Sequence, residues 1–346
     1  MSVRAFKYFS PFIIYIGAFR AFTTTGWQIW LPLVYAWIAI PAIELFLRPD
    51  TANLNEAEEE LVKKDKIYDV LLYMVVPLQY ATLILFLFSM SHDVLTPIDI
   101  IGRIFVMGLC CGVFGINVGH ELGHRVNKFE QALAKMLLLT SQYMHFFIEH
   151  NKGHHKRVAT KEDPSSGRYG EWIYLFYFRT VFLSYFSAWN IANKEMRKKN
   201  LPVFSLKNEM IQFSIIQISF VALIFFVFGW LVTLYYLAAA LIGILLLETV
   251  NYIEHYGLQR KLLNDGKYER AMPEHSWNSN HVIGRLMLFE LSRHSDHHYL
   301  ASRKYQVLRH HENSPQMPTG YPGMMILSLI PPAWFYVMNK RIKKLK

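Results

Sequence analysis

The feature that most limits how this chain can fold is a run of 37 residues, from Ile211 to Leu247, without a single charged side chain. As one α-helix it would be about 55 Å long, nearly twice the roughly 30 Å hydrocarbon core of a bilayer. Phe228-Gly229-Trp230 offers a break near its middle. The run therefore predicts two membrane spans, at about 209–229 and 231–254, joined by a tight turn.

Further apolar segments predict four more spans. The stretch from Val70 to Ser91 is also free of charge and has spanning length, which places a span at about 69–91. Shorter or interrupted runs place spans at 9–24, 27–47 and 101–124. No small-residue cleavage site follows the first run, so it is predicted to be a retained helix. The fold class is thus an all-α integral membrane protein with six transmembrane helices, forming a single membrane-embedded domain over 1–346.

The net charge of +10 indicates how the protein is oriented in the membrane. Between Arg125 and Lys207 there are 14 Lys and Arg against 6 Asp and Glu, and the C-terminal "NKRIKKLK" is also basic. By the positive-inside rule, the segments 125–208 and 257–346 lie in the cytoplasm as a helical cap, with both termini on that side of a cell inner membrane. A basic rim facing anionic lipid explains this charge, and nucleic acid is not an expected partner.

Histidines form the most informative pattern, because nine of the 15 fall into four compact groups. Positions three and four apart share one helix face, so such groups can aim several imidazoles at one point, as in metal sites of helix bundles. The groups are "HELGHR" with His120 and His124, "EHNKGHH" with His150, His154 and His155, "NYIEHYG" with His255, and "LSRHSDHH" with His294, His297 and His298.

The predicted topology brings the four groups to one depth. His120 and His255 lie roughly 24 and 36 Å along their inward-running helices, which places both near the cytoplasmic face with the other two groups. Nine imidazoles exceed the capacity of one ion, since zinc usually takes four ligands. The sequence therefore predicts two ions with open positions. Nitrogen ligation suits Fe, Cu, Ni or Zn, so the pattern does not choose the metal.

Six histidines lie outside this spacing: His92, His145, His275, His281, His310 and His311. His92 is predicted on the opposite face of the membrane. The adjacent Cys110 and Cys111 fall inside a predicted span and form neither a CxxC metal motif nor a disulfide framework. They are interpreted as small apolar fillers.

The four histidine motifs closely resemble the histidine boxes of the membrane alkane 1-monooxygenases, as do "YERAMPEHSWNSNH" and "PTGYPGM". The resemblance covers almost the whole chain from the second predicted span onward. It implies a di-iron centre held by the nine histidines and terminal hydroxylation of medium- or long-chain n-alkanes with O2. It also implies a rubredoxin as electron donor, with an NADH-dependent rubredoxin reductase upstream.

Three residues depart from the pattern of that family without changing a metal ligand. Arg125 stands where the first box usually has Lys, and Ser292 and Tyr299 replace the usual Gln and Ala of the last box. These neighbours bear on the substrate range rather than on the metal. The chain also lacks the two CxxC pairs of a fused rubredoxin, so a separate donor protein is expected.

Carboxylates in or beside the boxes are candidates to accept the remote imidazole N–H and orient each ring. These are Glu121, Glu149, Glu254 and Asp296. The alternative is that they form ion pairs with Arg125, Lys152 or Arg293. Trp37 and Phe114 are candidates to line a channel for substrate entering from the bilayer, although core packing is the commoner fate of such side chains.

Three other functions use part of the same pattern. "HELGH" matches the HExxH zinc-protease signature, which leaves six grouped histidines unexplained. A membrane fatty-acid desaturase, or a related methyl-group monooxygenase, would use similar histidine spacings, and its product would distinguish it from an alkane hydroxylase. A metal transporter would place its ligands at mid-membrane rather than at one face.

Overall fold

A computed structural model of the protein describes residues 3–92 and 94–345, and the regular elements in those ranges are helices, apart from two isolated β-bridges. The N-terminal half contains, in order, a 3-10 helix Val3–Phe12, α1 (Ile13–Thr23), α2 (Gly26–Glu44), α3 (Glu56–Lys64), α4 (Ile67–His92), α5 (Pro97–Gly123), α6 (Lys128–Leu139) and α7 (146–157). The remainder contains α8 (Ile173–Lys198), α9 (Glu209–His255), α10 (Val282–Met287), α11 (His294–Tyr299), α12 (Tyr321–Ser328) and α13 (Pro331–Leu345).

Within residues 3–92 and 94–345, four helices are long and apolar enough to cross a membrane: α2, α4, α5 and α9. α9 has 47 residues and is broken at Gly229, whose φ of 83° favours glycine because a Cβ would be strained there. This is the point where the sequence predicts a turn between two spans. Beside the break Phe226 is 82% exposed, as expected for a side chain that faces lipid. The protein is therefore an all-helical membrane protein.

The first predicted span, 9–24, has a different conformation from the one expected. The chain is a 3-10 helix up to Phe12 and becomes α-helical only from Ile13, over 11 residues. Pro11 contributes to this difference, because its ring has no N–H to donate to a helical hydrogen bond. The α-helical part alone is about 16 Å long, short of a full span.

Helices α5 and α9 approach each other through small residues. A Cβ added to Gly243 would lie 2.5 Å from the Cβ of Cys111, and one added to Gly108 would lie 2.5 Å from the side chain of Ile242. Such close contact between apolar helices gains van der Waals energy that lipid cannot replace. Cys111 is fully buried at this crossing, consistent with its interpretation as a small filler.

Segments of π-helix lie where functional side chains were predicted. They occur at Tyr35–Ala39 in α2, at Cys111–Ile116 in α5 and at His150–His154 in α7. A π segment inserts an extra residue into a turn and so changes the direction of the side chains around it; such segments are frequent at functional sites. The π segment in α5 lies just before His120, and the π segment in α7 contains His150 and His154 of the second histidine box.

Replacing Gly243 with Leu should separate α5 from α9 and lower the thermal unfolding midpoint of the detergent-solubilised protein. Overpacking of a close contact typically costs about 1–3 kcal/mol. Ala238→Leu, at a partly exposed position of the same helix, is the matched control and should change the midpoint little. Equal midpoints for the two variants would contradict the close contact.

Candidate metal centre

Five of the nine histidines form a compact group contributed by three helices. The C-terminal end of α5, the first residue of the π segment in α7, the residue directly after that segment, and α11 bring their ring nitrogens within 4.8 Å of one another. We call this the five-histidine group; it consists of His120, His124, His150, His155 and His297.

The Nε2 atoms of this group form a closed ring. His120 lies 3.0 Å from both His297 and His124, and His150 lies 3.1 Å from His124 and 3.0 Å from His155. A contact of 3.2 Å between His155 and His297 closes the ring. Hydrogen bonds cannot satisfy all five contacts, because donors and acceptors cannot alternate around a ring with an odd number of members. A central cation can accept every lone pair.

The five histidines would hold one metal ion together, because every contact around the ring is only 3.0–3.2 Å long.

The other four histidines form a second group, with all members buried: His154, His255, His294 and His298. The Nε2 atoms of His255 and His294 lie 3.2 Å apart. Within the described residues, Nε2 of His154 and both ring nitrogens of His298 are buried without a hydrogen-bond partner. Buried polar atoms rarely lack a partner, so these nitrogens fit a metal ion in this four-histidine group.

Several grouped imidazoles outside the membrane helices have a lowered pKa, which favours the neutral form that binds metal. Burial, followed by repulsion from neighbouring imidazoles, lowers the pKa of His150, His155 and His298 well below its ordinary value. Burial likewise lowers the pKa of His297 to about 3. Neutral rings at physiological pH offer lone pairs to a cation.

A residue that the sequence analysis missed, Asp163, orients one of these rings. Its Oδ2 lies 2.9 Å from Nδ1 of His154 and accepts a hydrogen bond from the Ser166 hydroxyl, while Oδ1 accepts from the Ser165 amide. Burial acts to lower the pKa of His154, but the Asp163 carboxylate outweighs it and the net shift is upward. A carboxylate on Nδ1 directs Nε2 toward the metal. "EDPSS" lies outside every histidine motif, so spacing could not reveal it.

Two of the predicted carboxylates are held by arginines instead. Glu121 accepts a hydrogen bond of 2.7 Å from Arg125, as the ion-pair alternative predicted, and also one from the backbone of Tyr305. Glu149 pairs with Arg157 at 2.6 Å rather than with Lys152. The geometry gives neither of them an imidazole N–H.

Asp296 and Glu254 each contact a histidine, but only Glu254 contacts one that belongs to the two groups. Asp296 accepts two hydrogen bonds of 2.8 Å from Arg303 and lies 2.7 Å from His311, a histidine outside the two groups. Glu254 has an oxygen 3.0 Å from Nε2 of His294. The same nitrogen also faces His255. Glu254 therefore contacts the nitrogen that points into the four-histidine group, and not the remote nitrogen of the ring as the sequence predicted.

An apolar cavity lies between helices that carry the histidine motifs. The inner cavity, of about 60 Å³, is lined by residues that precede three of the histidine motifs: Asn117, Val250 and Leu291. An outer groove of about 450 Å³ lies between α2, α5, α9 and α12. Both spaces are lined by Trp37, Leu109, Leu246 and Met325, which therefore separate them.

The two channel candidates have different positions. Trp37 lies in the π segment of α2 and contributes to both the inner cavity and the outer groove. Phe114 is fully buried and stacks on Tyr15, with ring centroids 4.0 Å apart. Core packing therefore accounts for Phe114, whereas Trp37 lies at the boundary between the inner cavity and the outer groove.

Comparison with known proteins agrees with this geometry. A family model described as fatty acid desaturase matches residues 99–328, which defines the class as membrane enzymes of that type. The chain is 40% identical to alkane 1-monooxygenase 2 of Pseudomonas aeruginosa over 318 residues, 91% of this chain and 84% of that protein. It is also 40% identical to alkane 1-monooxygenase 1 of Alcanivorax borkumensis, over 92% of this chain and 79% of that protein. The chain belongs to the alkane 1-monooxygenase family of oxidoreductases, as the motifs predicted.

Removing the carboxylate of Asp163 should weaken metal binding at the four-histidine group. Loss of such a partner typically lowers metal affinity about 10–100-fold. Asp163→Ala should therefore lose metal during dialysis against a weak chelator, measured by elemental analysis, while retaining the metal of the five-histidine group. Glu162→Ala removes the exposed neighbouring carboxylate and should retain both metals. Identical metal retention in the two variants would show that Asp163 has no such role.

Proposed function

We propose that this protein hydroxylates the terminal methyl group of medium- or long-chain n-alkanes, giving 1-alkanols, at a di-iron centre held by the nine histidines. The observation that carries the proposal is that two separate histidine groups lie close in sequence to the residues lining an apolar cavity, Asn117, Val250 and Leu291. The names of the relatives, alkane 1-monooxygenases, support the same substrate class. The reaction consumes one O2, two electrons and two protons, and yields water with the alkanol.

The chemistry of the substrate supports a redox metal. An alkane has no dipole, acidic proton or leaving group, so acid–base and nucleophilic catalysis have no point of attack. Iron ions bound in the two groups would supply the activation of O2 and the removal of hydrogen from the terminal carbon. Zinc has no redox chemistry. A zinc protease is further disfavoured because Glu121, the would-be general base of "HELGH", is paired with Arg125.

The chain's own side chains bind and orient the substrate. Apolar residues of the outer groove would receive an alkane from the bilayer, and Trp37 with Met325 would set how it enters the inner cavity. Among the described residues lining that cavity, Asn117 contributes the one amide, and this amide donates a hydrogen bond to the Leu288 carbonyl. The lining therefore excludes water and suits an unsubstituted chain better than the carboxyl or thioester end of a desaturase substrate.

The proposal includes the number of membrane spans and the orientation of the protein in the membrane. Six spans would comprise α1 with its 3-10 extension, α2, α4, α5 and the two halves of α9. The charge distribution supports a cytoplasmic location for the segments 125–208 and 257–346 and for both termini, in an inner membrane. The histidine-bearing ends of α5 and α9 would then face the cytoplasm, where soluble electron carriers are found.

A separate rubredoxin, reduced by an NADH-dependent reductase, is the proposed electron donor. Cys110 and Cys111 are both fully buried in α5, so neither is placed to bind an iron–sulfur centre at the surface. His155 is partly accessible, and the exposed Lys156 lies beside it in sequence. Exposed Arg270 lies over the Tyr299 ring, next to His298. Positive charge at this surface would attract an acidic carrier.

Replacing His150 with Ala should abolish alkanol formation and lower the iron content, because His150 has two neighbours in the closed ring of the five-histidine group. The assay supplies purified protein with rubredoxin, reductase, NADH and octane, and identifies products by mass spectrometry. His92→Ala, which alters an exposed histidine outside both groups, should keep full activity and iron. Full activity with two irons in His150→Ala would rule His150 out as a ligand.

Replacing Trp37 with Leu should shift the preference toward longer alkanes, because it widens the boundary between the outer groove and the inner cavity. The measurement is the ratio of product from hexadecane to product from octane. Phe114→Leu is the control: it removes a similar ring from the packed core and should leave that ratio unchanged while lowering stability. A changed ratio for Phe114→Leu alone would contradict the assignment of Trp37.

A further inference from the structure

A stack of aromatic rings leads away from the five-histidine group through Phe146 and Tyr143. The ring of Phe146 stacks on His150 with centroids 4.6 Å apart and an interplanar angle of 28°. The ring of Tyr143 stacks on Phe146 at 5.8 Å and 21°. Tyr143 is only 1% exposed. Three nearly parallel rings therefore connect a candidate metal ligand to a buried phenol.

The hydroxyl of Tyr143 has a proton acceptor in place. It donates a hydrogen bond of 2.7 Å to the Glu248 carboxylate, which is itself buried. Glu248 also accepts hydrogen bonds from Thr180 and Asn251, at 2.7 and 3.1 Å. A buried carboxylate inside a membrane helix is unusual and often functional, and neither histidine group nor the cavity uses this one.

From Tyr143 further rings continue to the surface along α8. His145 lies 4.5 Å from the Tyr143 ring and 5.2 Å from that of Tyr185, and Tyr185 lies 6.5 Å from Trp189. Tyr185 is 37% exposed. Burial lowers the pKa of His145 to about 3, so this ring is a neutral spacer. This row of aromatic rings thus joins the buried phenol of Tyr143 to the surface of the protein.

We propose that Tyr143 is a redox-active side chain which, together with Tyr185 and Trp189, carries an oxidising equivalent away from the metal centre when no substrate is bound. This inference rests on the proposed function, because the oxidant is the one generated from O2 during the monooxygenase reaction. Tyrosine and tryptophan are oxidised only by strong oxidants. This row of aromatic rings is therefore suited to removing an oxidising equivalent from the metal centre. It is not suited to delivering electrons from a low-potential carrier.

Each step balances in electrons and protons. Tyr143 loses one electron to the oxidised centre, and its hydroxyl proton moves to Glu248, which leaves a neutral phenoxyl radical. Tyr185 then returns an electron to Tyr143, Glu248 returns the proton, and the exposed Tyr185 releases its own proton to water. A soluble one-electron donor, such as the carrier that serves the reaction or a thiol, finally reduces the Tyr185 radical, which takes a proton back from water. Trp189 can relay this electron: it reduces the Tyr185 radical and is then reduced by the same donor.

The decisive test uses iron-loaded protein mixed with hydrogen peroxide in the absence of alkane, frozen within milliseconds and examined by electron paramagnetic resonance. The wild type should show a tyrosyl radical, and Tyr143→Phe should lose it. Tyr8→Phe is the matched control, since the Tyr8 hydroxyl donates a hydrogen bond of the same length, 2.7 Å, to buried Glu290 but lies outside the chain of rings. It should keep the radical. Tyr185→Phe changes an exposed position and should prolong the lifetime of the radical on Tyr143. If Tyr143→Phe does not fold, this variant provides the test in its place.

Peptide mass spectrometry provides a second readout. Oxidation at Tyr185 and Trp189 should accumulate in the wild type and in Tyr8→Phe, and fall in Tyr143→Phe. Equal radical yield with and without the Tyr143 hydroxyl, or no protein radical in the wild type, would overturn the inference. Octanol formation by parallel samples of the same variants, supplied with octane, rubredoxin, reductase and NADH, separates the two proposals. A Tyr143-dependent radical without any alkanol would refute only the proposed function, whereas alkanol with a Tyr143-independent radical would refute only this inference.

Discussion

The arrangement of this protein depends on the attraction between imidazole lone pairs and positive charge. Nine histidines from four distant stretches of chain point their nitrogens at two positions, where without cations the lone pairs would repel. Metal ions would convert that repulsion into cross-links between α5, α7, α9 and α11. The metal is then part of the folding energy as well as of the chemistry, and it joins the membrane helices to the segments that cover them.

Positive side chains near the two groups are neutralised by local carboxylates. Arg125 pairs with Glu121, Arg157 with Glu149, and Arg303 with Asp296. Each pair is largely buried, where an unpaired charge would be costly. With these three carboxylates paired to arginines, Asp163 and Glu254 are the candidates that approach a grouped imidazole. Some carboxylates near the histidine boxes thus neutralise arginines, and others contact histidines.

The sequence predicted the existence of the site better than its internal arrangement. Helical spacing was enough to predict which nine histidines come together, and the position of Gly229 was enough to place the break in α9. The division into five and four was not predictable, because His154 and His155 are neighbours in sequence but belong to different groups. The π segment at His150–His154 changes the direction of successive side chains, and no pattern of apolar residues reveals it. Asp163 was missed for a related reason: it reaches His154 through a turn that only the folded chain forms. Of the two channel aromatics, only the structure separates Trp37, beside the cavity, from Phe114, in the core.

The central claim is that two iron ions are bound by nitrogen ligands in separate groups of five and four histidines. The most direct measurement is elemental analysis of the purified protein combined with iron X-ray absorption spectroscopy. The account predicts two irons per chain, a first shell dominated by nitrogen with imidazole scattering, and a mean of four to five histidines per iron. A single ion per chain, zinc in place of iron, or a shell dominated by oxygen would contradict it.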